Sequence, residues 1–74
     1  DVRARFDLLR AWRRERAAEQ RVPPYVIFQD RTLLEIAVAE PGDLERLSHI
    51  PGVGQTKLDR YGAAVLAALA QGGN

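Results

Sequence analysis

The stretch IPGVGQTKLDRYG, residues 50–62, decides the fold of this chain. Its two glycines, Gly52 and Gly54, supply backbone conformations that other residues resist. They predict a tight hairpin that leads into a helix from about Gln55 to Ala70. The N–H groups at the start of such a helix carry partial positive charge and suit a phosphate. The hairpin is therefore a candidate phosphate contact, although a tight turn also requires glycine for purely topological reasons.

A first helix is predicted over residues 2–19, before a proline-rich break. Its apolar residues recur at three-residue steps, as in a helix that packs one face against a core: Phe6, Leu9 and Trp12. Pro23 and Pro24 end this helix because neither supplies a backbone N–H and each disfavours helix in the residue before it. The short apolar run at 25–28 has no strand to pair with. We interpret it as one tight turn that plugs the core.

Acidic residues mark the starts of two further helices. Asp30 is a good N-cap for a helix over residues 31–39, and Thr32 with Glu35 offers a competing capping box. This helix is apolar almost all round, which predicts a central position in the fold. After it, Asp43 suits the N-cap of a short helix. Because strand-type alternation persists nowhere, we predict an all-α fold, a small orthogonal bundle of about five helices.

Length and composition limit the class of protein. A chain of 74 residues makes one small domain over residues 1–74, with its core at about 6–69. It has no cysteine and one histidine, His49, so we expect no disulfide, no metal site and no cofactor. No apolar run approaches the roughly 20 residues that cross a bilayer, and no signal peptide is visible. We therefore expect a cytoplasmic domain of a larger protein, monomeric when isolated and with no membrane partner.

Charge is distributed unevenly along the chain. The formal net charge is only +1, which argues against strong electrostatic binding by the whole surface. Residues 1–21 carry seven arginines against four acidic residues, a net +3, whereas residues 22–50 carry two against five, a net −3. Residues 51–74 add a net +1. The start of the chain is thus the part suited to phosphates, and the middle is the part suited to a basic partner.

Three sequence motifs together resemble the HRDC domain, the helicase-and-RNase-D C-terminal module of RecQ-family DNA helicases. They are LRxWR at 9–13, VPPYVIFxDxTL at 22–33 and IPGVGxxKLxxYG at 50–62, in the order and spacing of that family. The resemblance implies a bundle of about five helices that serves as an auxiliary DNA-binding or docking domain. It also implies that Tyr25 contacts single-stranded DNA. Related domains occur in ribonuclease D-type enzymes, so the parent protein stays open.

The first functional hypothesis is a domain that binds single-stranded or branched DNA weakly and tunes a larger helicase, with DNA repair and recombination as the setting. Tyr25 would stack on an unpaired base, which requires no reading of sequence. The alternative for Tyr25 is packing under the helix connection with only its hydroxyl exposed. Nearby cations would bind phosphates, which guanidinium groups hold bidentately. The candidates are Arg10, Arg13, Arg14, Arg21 and Lys57.

These cations also have ordinary alternatives. Arginines on the outside of a helix are often simply solvated, and Glu15 and Glu19 are available as ion-pair partners. Lys57 can add a second phosphate contact only if the glycine hairpin lies on the same side of the domain as Tyr25. Trp12 shares the spacing of the first helix's apolar residues, so we expect it in the core.

The second hypothesis is a protein-interaction module that never contacts DNA directly. Its acidic residues would dock on a basic partner, either the helicase core or another domain of the same chain. The candidate docking residues are Glu35, Glu40, Asp43 and Glu45.

Catalytic function is not indicated by any motif. The sequence has no GxxxxGK[ST] loop to grip a nucleotide, and no carboxylate spacing that would gather two metals. Ser48 and His49 are adjacent in sequence, which does not place their side chains together. We therefore expect no catalytic residue in this domain, and an ATP-dependent DNA helicase as the parent enzyme.

Overall fold

The computed structural model describes residues 1–72, which form five helices and no strand. In chain order the helices are α1 (Val2–Gln20), α2 (Pro24–Ile27), α3 (Asp30–Ala39), α4 (Leu44–Ser48) and α5 (Gln55–Gly72). The long helices α1 and α5 pack against each other, α2 and α3 pack on α1, and α4 packs on α5. The predicted all-α fold of about five helices is confirmed over this part of the chain.

The end of α1 turns the chain sharply toward α2. Arg21 adopts a left-handed backbone conformation with φ at 57°, and the Val22 N–H donates to the Ala17 carbonyl oxygen at 3.0 Å. This closure satisfies carbonyl groups that the helix end would otherwise leave free. Pro23 then leads into Pro24 in the first turn of α2, where the missing N–H removes no helical hydrogen bond.

The run at 25–28 plugs the core, as predicted. Ile27 and Phe28 are fully buried, whereas Tyr25 and Val26 face outward. A single helical turn is not stable on its own, because so few hydrogen bonds do not offset the cost of nucleation. The burial of Ile27 and Phe28 therefore helps to hold α2 in place.

The start of α3 differs from the prediction. The helix begins at Asp30 itself, with Gln29 as the cap residue and no side-chain cap hydrogen bond. The Asp30 carboxylate instead pairs with Arg13 of α1. The alternative capping box of Thr32 and Glu35 is also wrong, because Thr32 lies inside the helix and is buried.

Helix α3 buries one side only, although its sequence is apolar almost all round. Leu33 and Ile36 are fully buried, but Leu34 is 46% exposed and Val38 is 62% exposed. The predicted central position was therefore wrong. The helix covers α1 from one side and presents its other side to solvent.

Three aromatic rings meet where α1, α5 and the end of α2 converge. The ring centroids of Trp12, Phe28 and Tyr61 are 5.7 to 6.1 Å apart, in tilted and edge-to-face arrangements. Trp12 is only 7% exposed, which confirms its predicted place in the core. The Tyr61 hydroxyl hydrogen-bonds to the side-chain amide of Gln20 at 2.8 Å, so the ring cluster also fixes α5 against the end of α1.

The glycine hairpin is held by a close approach to α3. Gly52 has a positive φ of 93°, and a Cβ atom at this position would overlap the Thr32 side chain. Both facts require glycine here, since a positive φ disfavours other residues. Val53, next in the chain, is buried, so the hairpin seats the start of α5 against the rest of the domain.

Candidate nucleic-acid interface

Tyr25 projects from the domain surface. Its relative exposure is 66%, and Val26 beside it is 46% exposed. The cause is local, because α2 is one turn long and its other side is committed to the burial of Ile27 and Phe28. The alternative in which Tyr25 packs beneath the connection with only its hydroxyl exposed is therefore wrong. A ring this open can receive a stacked base.

Lys57 reaches α2 from the first turn of α5. Its Nζ atom donates to the Val26 carbonyl oxygen at 3.3 Å and lies 5.3 Å from the centroid of the Phe28 ring. The start of α5 therefore lies on the same side of the domain as Tyr25, which was the condition for a second cationic contact. An ammonium group has three donors, so the bond to Val26 leaves others for a phosphate oxygen.

Arg13 is a structural residue, in contrast to its predicted role as a phosphate contact. It is only 7% exposed, and its Nη1 atom donates to the Phe28 carbonyl oxygen at 2.8 Å. Its Nη2 atom donates to the Asp30 carboxylate at 2.6 Å. Both terminal nitrogens of the guanidinium group thus donate hydrogen bonds within the domain. No local sequence pattern signals this role, because the partners lie 15 and 17 residues away along the chain.

The Arg13 contact also changes the titration of Asp30. The hydrogen bond and the charge of Arg13 lower the pKa of Asp30 below its ordinary value, and the nearby charge of Arg10 contributes. The carboxylate stays ionised and keeps the junction between α2 and α3 tied to α1.

The other three candidate arginines remain at the surface. Arg10 and Arg14 are exposed on α1, and Arg21 is exposed at its end, four residues before Tyr25. Arg10 lies 5.5 Å from the centroid of the Phe6 ring. Within residues 1–72 none of the three forms an ion pair with an acidic side chain, so their charge is available to a ligand.

Two of the four acidic candidates for docking, Glu35 and Glu40, lie on different parts of the surface. Glu35 lies within α3, whereas Glu40 is the cap residue that follows the helix, in a left-handed conformation with φ at 47°. Glu35 borders the hairpin at Gly52, whereas Glu40 borders the far half of α5 at Leu66.

Three of the four acidic residues also have partners within the domain. Glu40 lies 3.3 Å from Arg5, and Glu35 lies 3.6 Å from Arg31. The Asp43 carboxylate accepts from the Arg46 N–H at 2.8 Å, which confirms its predicted role as the cap of α4. Glu35 and Glu40 therefore each have an arginine that offsets their charge within the domain.

Two further features of the described residues bear on function. No group of three or more histidine, cysteine, aspartate or glutamate side chains in residues 1–72 is placed to hold a metal ion. None of the helices in that range is long and apolar enough to cross a membrane.

Comparison with known proteins agrees with the fold and the three motifs. The family model described as "HRDC domain" matches residues 2–69. This chain belongs to the HRDC domain family. In structure it is similar to the D. radiodurans RecQ HRDC domain 3, with a TM-score of 0.92 and 30% sequence identity over 96% of this chain and 93% of that one.

Curated relatives carry the similarity as a small part of larger enzymes. The ATP-dependent DNA helicase UvrD2 of Mycobacterium tuberculosis (strain ATCC 25618 / H37Rv) is 50% identical over 58 residues, or 78% of this chain. The ATP-dependent DNA helicase RecQ of Bacillus subtilis is 46% identical over 61 residues, or 82% of this chain. The Ribonuclease D of Granulibacter bethesdensis is 40% identical over 62 residues, again 82%. The matches span only 8%, 10% and 16% of these relatives.

The HRDC assignment therefore identifies an accessory domain, of the kind found within helicases. The family alone does not choose between parents, because UvrD2, RecQ and Ribonuclease D all carry a similar segment.

Proposed function

We propose that this HRDC domain is an auxiliary single-stranded DNA-binding module of a larger ATP-dependent DNA helicase of the RecQ or UvrD2 kind. The observation that carries the proposal is the exposed ring of Tyr25, with Lys57 anchored beside it on α2 and Arg21 four residues before it. An aromatic platform flanked by cations is the combination that single-strand binding requires.

The mechanism divides the interaction between stacking and charge. Tyr25 stacks on one unpaired base, a contact typically worth about 1–3 kcal/mol that works for any base. Arg21 and Lys57 neutralise phosphates on either side, and an exposed arginine of α1 takes a third. Three neutralised phosphates correspond to a slope of about −2 in log K against log salt for a single strand.

Weak binding suits a module that is covalently attached to a motor. The net charge of +1 and the small site favour modest affinity for the domain alone. Tethering raises the effective concentration of the module at DNA held by the parent enzyme, so a weak site can still bias substrate choice toward single-stranded or branched DNA. In this proposal the chemistry of the helicase resides elsewhere in the parent chain. The domain acts on DNA inside the cell, at the nucleoid if the parent protein is bacterial.

The acidic docking alternative has less support. Glu35 and Glu40 border different parts of the domain, and three of the four candidate residues have partners within it. We therefore assign binding to the surface around Tyr25.

The test is fluorescence anisotropy of the 74-residue chain with a labelled oligothymidine at low and moderate salt. Tyr25→Ala should weaken binding about 5- to 150-fold, the equivalent of about 1–3 kcal/mol, whereas Tyr25→Phe should retain it because the stacking face is kept. Leu34→Ala is the matched control, since Leu34 is an exposed apolar residue on α3. Circular dichroism checks that each variant stays folded.

Two results would overturn the proposal. The first is equal binding by wild type and folded Tyr25→Ala. The second is a duplex of the same length competing as well as the single strand, because a paired base offers no free face to Tyr25.

A further inference from the structure

Four arginines follow one line along α1. They are spaced by seven, four and seven residues: Arg3, Arg10, Arg14 and Arg21. At 3.6 residues per turn, the three within the helix lie within about 40° of one another around its axis. Arg21 continues the same spacing at the helix end, and all four are exposed. We call these four residues the arginine stripe.

The stripe lies on the solvent-exposed side of α1, next to the edge of the helix that packs on α2 and the start of α3. Arg13, next to the stripe on the helix surface, reaches Phe28 and Asp30. Arg10 is close enough to Asp30 for its charge to act on that carboxylate. The stripe and Tyr25 therefore belong to neighbouring parts of one surface.

Few acidic side chains interrupt this line. Asp7 lies 3.6 Å from Arg3, in a solvent-exposed pair. The later acidic residues of α1 lie toward its other side, where Glu15 borders the groove to α5 and Glu19 pairs with Arg16 at 2.9 Å. From Arg10 onward the stripe is a row of positive charge.

The length of the row defines the size of a ligand. The rise from Arg3 to Arg21 is about 27 Å at 1.5 Å per residue. The longest dimension of the domain is 29 Å, so the stripe crosses nearly all of it. At the B-form spacing of about 3.4 Å between phosphates on one strand, this length corresponds to about eight nucleotides, and to fewer in a more extended strand.

We propose that the arginine stripe is a phosphate track that continues the Tyr25 site along α1 as far as Arg3. The ligand would then be a continuous single strand of up to about eight nucleotides, anchored at one end by Tyr25. This inference rests on the function proposed above, since Tyr25 and Lys57 form the anchor.

The first measurement compares oligothymidines of about four, eight and twelve nucleotides. A strand of about four reaches only Arg21 and Lys57, so its salt slope should be about −1.4; the longest should neutralise five phosphates and give about −3.5. The slope is the readout because longer strands offer more binding registers, which raise affinity without raising the number of contacts. The slope should stop changing beyond about eight nucleotides.

Arg3→Gln and Arg31→Gln form a closely matched pair of variants. Each arginine lies 3.6 Å from an acid four residues later, and the side chains are 85% and 88% exposed. Arg3→Gln should weaken binding of the longest strand about two- to fivefold, reduce its salt slope by about 0.7 and leave the shortest strand unaffected. Arg31→Gln, on α3 and outside the stripe, should change neither.

The outcomes separate this inference from the proposed function. Binding that depends on Tyr25 but has the same salt slope at every strand length overturns the track and leaves the Tyr25 site intact. Equal losses for Arg3→Gln and Arg31→Gln also overturn it, since they would reflect net charge alone. Failure of every strand to bind, or binding indifferent to Tyr25→Ala, overturns both proposals.

Discussion

The Nζ atom of Lys57 lies 3.3 Å from the carbonyl oxygen of Val26, and this contact connects the first turn of α5 to the single turn of α2. The ammonium group also lies over the Phe28 ring, 5.3 Å from its centroid. A cation over an aromatic face and a hydrogen bond to a carbonyl both favour this position. The glycine hairpin is thereby linked to the exposed segment that carries Tyr25.

Lys57→Gln is expected to weaken single-strand binding in a specific manner. The substitution removes one charge next to Tyr25, so the salt slope should become shallower by about 0.7 if Lys57 neutralises a phosphate. Lys57→Arg should restore the slope. Arg60→Gln is the control, because Arg60 is an exposed cation on the same helix. A loss of affinity with an unchanged slope would mean that Lys57 only positions α2 and contacts no phosphate.

Arg13→Gln is expected to destabilise the domain. The guanidinium donates to the buried Phe28 carbonyl oxygen, and the shorter side chain would leave that acceptor without its partner. A lost bond of this kind costs about 1–3 kcal/mol. The free energy of unfolding can be measured in urea through the fluorescence of Trp12, the single tryptophan. Arg14→Gln should stay within about 0.5 kcal/mol of wild type, since Arg14 is exposed.

The helices could be predicted because their signals are local. Pro23 and Pro24 end α1 whatever surrounds them, and the glycine hairpin predicts the start of α5. The three-residue spacing of the apolar residues likewise placed Trp12 in the core. In each case the deciding interaction lies within a few residues of the signal.

The errors came from contacts between distant parts of the chain. Asp30 looked like a helix cap, but Arg13, 17 residues earlier, takes its carboxylate. The same contact withdraws the Arg13 guanidinium from solvent, although Arg14, the next residue of α1, is exposed. Leu34 and Val38 are apolar yet exposed, because neither α1 nor α5 covers that side of α3. Local sequence contains no information on which side a neighbouring helix will cover.

The stability of the domain should fall in acid partly through Asp30. Its pKa is lowered in the folded state by the Arg13 hydrogen bond and charge. Because the pKa of Asp30 is lower in the folded state, the unfolded chain binds the proton more readily. The ionised carboxylate therefore stabilises the fold fully above its unfolded pKa of about 3.9, and this stabilisation is lost as the pH falls through the folded pKa. Asp30→Asn should lower the free energy of unfolding at neutral pH and flatten its decline below about pH 4. An unchanged decline in urea titrations of the variant would assign the acid sensitivity to other carboxylates.

Gly52→Ala is expected to be far more disruptive than Gly54→Ala, although the two glycines look equivalent in the sequence. Gly52 has a φ of 93°, and an added methyl group would overlap the Thr32 side chain. The strain and the clash together should cost more than about 1 kcal/mol, measured by urea unfolding. A Cβ at Gly54 would meet no atom within 4 Å. The cost of Gly54→Ala should therefore stay near 0.5 kcal/mol, since alanine is less favourable than glycine only because the position directly precedes α5. Gly52→Ala should cost less in a Thr32→Ala background than in the wild type, because alanine lacks the hydroxyl and methyl groups that the added Cβ would approach. Equal costs for the two single variants would show that the hairpin tolerates an ordinary residue at either position. The close contact between Gly52 and Thr32 would then not be what fixes the start of α5.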